Sequence, residues 1–145
     1  MADNFGLKIG IEGEKEFKKA LSEINQSFKV LGSEMKLVSS QFDKNDKSIQ
    51  ALSARNTVLN KEIDAQRQKI ETLRAALRNA ADSFGENDRR TQNWQIQLNN
   101  AEAALNGMER ELSDNERAIE ALSQEETDAA DATERLSREI AQQED

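Results

Sequence analysis

The stretch IETLRAALRNAADSFGENDRRTQNWQIQLNNAEAAL, residues 70–105, decides the fold. Apolar side chains recur every three and four residues on both sides of its centre. Ile70, Leu73, Leu77 and Ala80 precede the centre, and Trp94, Leu98, Ala101 and Leu105 follow it. Such spacing gathers them on one narrow face of an α-helix, at the a and d positions of a heptad. Between the two runs lies Ser83-Phe84-Gly85-Glu86-Asn87-Asp88. Its glycine sits where a helix would end, and Asn87 or Asp88 can cap the next one. Two helices joined by a turn is the smallest structure that satisfies this stretch.

Followed outward, the same phase runs from Phe17 to Ile140. Fourteen of eighteen a positions and fourteen of eighteen d positions are apolar. Beyond residue 16 the only apolar residues larger than alanine off this seam are Val30, Leu37, Val58 and Ile96. A globular bundle needs a wider apolar stripe than that. The fold expected is therefore all-α, a long heptad coiled coil. Its core would contain Leu52, Leu59, Ile63, Ile70, Leu73, Leu77, Trp94, Leu98, Leu105, Leu112 and Ile119.

Two arrangements fit the seam: one continuous parallel rod, or an antiparallel helical hairpin turning near Gly85–Asp88. Phase continuity across Asp43-Lys44-Asn45-Asp46 and across the Gly85 stretch favours the rod. Charge favours the hairpin. Residues 44–84 carry eight basic and five acidic side chains, whereas residues 85–145 carry six basic and sixteen acidic. Folding back lays the acidic half on the basic one. A turn between 85 and 86 also places Asn56 opposite Asn115, a buried polar pair of the kind that fixes register. The same register brings Arg74 near Glu102 and Arg67 near Glu109. It leaves Gln66 opposite Leu105, and Glu62 near Glu111, as mismatches.

The segments expected are a short strand or arm over 1–13, a first amphipathic helix over 14–42, a basic heptad helix over 43–84, a turn over 85–88 and an acidic heptad helix over 89–143. The strand rests on Phe5, Leu7, Ile9 and Ile11, which alternate with small or polar neighbours.

Chemistry is excluded largely by composition. The chain has no histidine and no cysteine, which removes the common nucleophile triads, thiolate catalysis and the usual zinc sites. Its six glycines form no phosphate-binding loop, so no cofactor is expected. Asp43 to Ala54 fails as a calcium loop, because Lys47 and Ala54 stand where oxygen ligands belong. The acidic cluster Glu125, Glu126, Asp128 and Asp131 reads as a solvated helix face. A net charge of −8 gives no basis for binding nucleic acid. Trp94 reads as a seam residue on which Arg89 or Arg90 could stack. No segment resembles a signal peptide or a membrane span, and no membrane contact is expected.

Two strings add a resemblance. GLKIGIEGEKEFKKALSEINQSFKVLGSEMKLVSSQFDKND, residues 6–46, and SFGENDRRTQNWQIQLNNAEAALNGMERELSDN, residues 83–115, resemble the N-terminal region of tape measure proteins of long-tailed phages and prophages. The resemblance implies a structural protein of tail assembly, a scaffold in the tail lumen that helps to set tail length and tube polymerisation. It implies tail tube subunits, tail assembly chaperones or further copies of the chain as partners. It also implies a path from the host cytoplasm to the lumen of the virion tail. Family members are much longer, so the chain is expected to be an N-terminal piece, with the ruler role belonging to the whole protein. The competing expectation is a non-enzymatic, chaperone-like helical binding module.

Overall fold

A computed structural model describes the backbone of residues 2–43 and 45–143, and side chains from Ile9 onward within that range. It contains three helices: α1, Ala2–Gln41; α2, Ile49–Phe84; and α3, Arg89–Gln143. No proline interrupts them.

Helix α2 is central. Along α1, contact residues fall in number as those on α2 rise: Glu34 pairs with Lys61, Asn25 with Lys69, and the Gly10 carbonyl with Asn79. Helix α3 runs back along α2 in the same sense, with Arg67 on Glu109 and Arg74 on Glu102. The chain is thus a zigzag of three helices, each antiparallel to the next.

Each turn has its own local logic. Gly85 adopts φ 92° and ψ 156°, a conformation open essentially to glycine alone. Its N–H closes α2 on the Ala81 carbonyl, and its carbonyl accepts from the buried Thr91 hydroxyl at 2.7 Å. Asp88 opens α3 by accepting the Arg90 N–H at 2.8 Å. At the other end, Ser48 caps α2 through the Ala51 N–H. Arg55 holds the α1–α2 loop by donating to the carbonyls of Asp43, at 3.0 Å, and Asp46, at 2.7 Å.

Two expectations need correction. No strand occurs among the described residues. The segment over 1–13 is helical from Ala2, and the side chains of Phe5 and Leu7 lie outside the described residues. A lone strand leaves its backbone groups without partners, whereas a helix satisfies them internally. Period-two alternation over seven residues does not outweigh that difference. The helix expected over 43–84 begins only at Ile49: the described residues 42, 43 and 45–48 are not helical, and Ser48, in extended conformation, caps the helix through the Ala51 N–H. Phe42 and Ile49 are both a positions, so a loop of one heptad preserves the count while reversing the chain direction. Phe84 and Thr91 bracket the second turn in the same way.

Nothing in the heptad seam anticipates α1 packing back on α2. Ala65 and Asn79, which border α1, share a heptad position with Ala51 and Val58, both buried. Helix α2 therefore carries two buried stripes, one large and one mostly small. The bulky stripe of α1, including Phe17, Leu21 and Leu31, covers the small one.

Candidate functional site

The region of interest is the α2–α3 interface with the faces beside it. Leu52, Leu59, Ile63, Ile70, Leu73, Trp94 and Leu98 are buried. Leu77 and Leu105 are partly buried against the same core, and Leu112 and Ile119 are half-buried. Asn115 Nδ2 donates to Asn56 Oδ1 at 2.9 Å. Flanking this core, Arg74 meets Glu102 at 3.0 Å and Arg67 meets Glu109 at 3.3 Å. Exposed pairs like these contribute about 0.2–1 kcal/mol each, enough to favour an orientation but too little to hold a fold.

Gln66, a polar residue at a d position, is buried without penalty. Its Nε2 donates to the Ala101 carbonyl at 2.8 Å, one helical turn before Leu105. Glu62 is the less comfortable residue. Partial burial pushes its carboxyl above the ordinary value, and the nearby Glu111 charge pushes it in the same direction.

At the Gly85 end, α1 reaches across to α3. Trp94, 2% exposed, packs with Leu21, Leu73 and Leu98, and its Nε1 donates to Glu14 Oε1 at 3.2 Å. Arg90 does not stack on Trp94. Its guanidinium carbon lies 3.5 Å from the centre of the Phe84 ring, while Nε and Nη2 bind the Asp88 carboxylate at 3.0 Å. The spacing of Arg90 from Asp88 and Phe84 is the sequence signal for this contact. Asp88 sits well below the usual carboxylate range, at about 2, chiefly through these Arg90 hydrogen bonds.

Among the described residues no three acidic side chains converge on a metal-sized space. The acidic residues Glu125, Glu126, Asp128 and Asp131 are exposed along α3, with Gln124 donating to Asp128 at 3.1 Å. No helix of the described residues is long and apolar enough to cross a membrane. Concavities lie in the grooves between helices and, at Asp131, Glu134, Arg135 and Arg138, along α3 alone. One of about 390 Å³ is bordered by Ile24, Val30, Leu31, Lys61 and Ala65, and it gathers no set of reacting groups.

Val30 and Leu37 are more than half exposed, one heptad apart on α1. Helix α3 outruns its partner. Ile49, the first residue of α2, stands level with Leu122 in the register that pairs Asn56 with Asn115, and every described residue beyond Leu122 is exposed. No family model, curated protein or solved structure matches the chain.

Proposed function

We propose that the chain is a structural, non-enzymatic assembly protein of the tape-measure type, with α2 and α3 paired as an antiparallel coiled coil. The observation that carries this reading is the Asn56–Asn115 pair with its flanking ion pairs. A buried amide pair of this kind fixes one helix register, and a scaffold of defined length needs that property. The resemblance of residues 6–46 and 83–115 to tape measure proteins supplies the context: tail tube subunits and tail assembly chaperones as partners, cytoplasmic assembly, and a final place in the tail lumen.

The test is reconstitution. Purified chain is mixed with tail tube subunits from a long-tailed phage or prophage of the same host, and tubes are counted and measured by electron microscopy. Tubes that nucleate faster, or hold a narrower length distribution, support the proposal. Unchanged tubes and no co-sedimentation of the chain refute it.

The exposed pair Val30 and Leu37 favours a second reading, a chaperone-like binding module. Suppression of aggregation of unrelated unfolded proteins, lost on replacing both residues with serine, would select it over the scaffold.

A further inference from the structure

We infer that the final stretch of α3, residues 123–143, is a docking strip for a basic amphipathic helix of a partner protein. This inference rests on the α2–α3 register and not on the tail-assembly reading, so either can fail alone.

The strip is about 30 Å of helix at 1.5 Å per residue. Its a and d positions, Glu126, Ala129, Thr133, Leu136, Ile140 and Gln143, keep the phase of the α2–α3 interface, and three of the six are apolar. Leu122 is half-buried at the edge of that interface, while Leu136 and Ile140, 57% and 50% exposed, lie on the same face with no other described helix over them. The strip is thus the continuation of an interface that already exists in the molecule.

Charge identifies the occupant. The strip carries six acidic and two basic side chains. Glu126 stands at an a position, within the apolar face, and Glu125 and Glu139 flank it. A second copy of the strip is a poor partner in either direction. Parallel pairing sets Glu126 against Glu126. Antiparallel pairing that matches Leu122 with Ile140 sets Glu125 beside Glu139 at both ends. Like charges held at such positions disfavour association. The chain solves the same problem once already, by laying acidic α3 on basic α2 with arginines opposite Glu102 and Glu109. A helix with an apolar stripe flanked by lysine or arginine, one of them facing Glu126, completes the strip by the same rule.

The test uses the full chain and two fluorescently labelled synthetic helical peptides of 21 residues, sharing one leucine stripe and differing only in lysine or glutamate flanks. Fluorescence anisotropy should show saturable binding of the lysine peptide and none of the glutamate peptide. Leu136→Ser with Ile140→Ser should weaken binding at least about tenfold, since one buried aliphatic side chain is worth about a decade of affinity. Both residues are half-exposed, and their replacement leaves the core intact. Glu126→Lys should lose the lysine peptide and gain the glutamate one. Three results overturn the inference: no binding of either peptide, lysine-peptide binding unchanged by the double serine variant, or a dimer of the chain in sedimentation that the double serine variant abolishes.

Discussion

Asn115 Nδ2 and Asn56 Oδ1 lie 2.9 Å apart across the α2–α3 interface, 59 positions apart in the chain. Asn56 is nearly buried, at 8% exposure, so its amide depends on this partner. A slip of one heptad would set Asn56 against Met108 or Leu122 instead, burying an amide against hydrocarbon. Asn115→Leu should therefore cost about 1–3 kcal/mol in urea denaturation. The double variant Asn56→Leu with Asn115→Leu should recover most of that loss, since two apolar residues satisfy each other. It should also admit shifted registers, visible as additional distances between spin labels on α2 and α3. A double variant with a single sharp distance would show that register is set elsewhere.

Trp94 is the only tryptophan in the chain and reports directly on its core. It lies in one buried cluster with Leu21 of α1 and Leu73 of α2, and its Nε1 donates to Glu14 of α1. Fluorescence should be blue-shifted in the folded chain and move to longer wavelength in one step with helix loss. Trp94→Ala should cost about 3–5 kcal/mol, because the cavity lies where no single helix can collapse to fill it. Trp94→Phe should cost less, losing chiefly the hydrogen bond to Glu14 and part of the ring. Equal losses for the two variants would mean that the indole N–H, not the packing, holds α1 to α3.

The all-helical fold, the Gly85 turn and the large seam could be read from the sequence because each rests on local pattern: apolar residues at three- and four-residue spacing, glycine at a helix end, and charge halves of opposite sign. The α1–α2 reversal was legible only in part. Asp43–Asp46 looked turn-prone, yet Phe42 and Ile49 are both a positions, so phase could not distinguish a chain reversal between them from about two more turns of helix. The docking of α1 was hidden because the receiving stripe of α2, Ala51, Val58, Ala65, Thr72 and Asn79, holds a single large apolar residue and shows no amphipathic pattern of its own. Ile9 and Ile11 misled in the opposite sense, since their alternation with small residues mimics a strand while both stay largely exposed on a helix. The stacking of Arg90 on Phe84 instead of Trp94 depends on the turn geometry, which spacing alone does not give.

Glycine substitutions separate the close approach of α1 from the rest of the chain. A Cβ on Gly10 would lie 2.5 Å from Ser83 Cβ and 2.6 Å from Phe84 Cζ. Ser83 Cβ is anchored to its backbone and cannot swing away, so the helices must part. Gly10→Ala should destabilise by about 1–3 kcal/mol, overriding the gain of up to about 1 kcal/mol from helix propensity. Gly32 and Gly107 have open space at the same position. Gly32→Ala and Gly107→Ala should stabilise by about 0.5–1 kcal/mol. Thermal unfolding followed by circular dichroism checks all three. A stabilising Gly10→Ala would mean that α1 does not approach α2 this closely.

Glu62 and Asp88 should respond to acid with opposite signs. The Glu62 carboxyl is raised, by burial first and by Glu111 second. A carboxyl raised in the folded state contributes stability that is full below its unfolded value and is lost as pH rises through the folded one. At neutral pH the charged Glu62 is thus a burden, and Glu62→Gln should melt higher than the parent chain. That advantage should disappear as pH falls below the ordinary glutamate value of about 4.3. Asp88 is lowered to about 2, first by the Arg90 side chain and then by the Arg90 N–H. Its contribution is present above the unfolded aspartate value, about 3.9, and is lost as pH falls through about 2. Asp88→Asn should therefore melt lower than the parent at neutral pH and converge on it in strong acid. Melting temperatures of the three proteins from neutral pH down to about pH 2 give both differences. A Glu62→Gln advantage that persists in acid would trace to packing and not to the Glu62–Glu111 pair. An Asp88→Asn deficit that does not change with pH would mean that the Asp88–Arg90 ion pair contributes nothing to the start of α3.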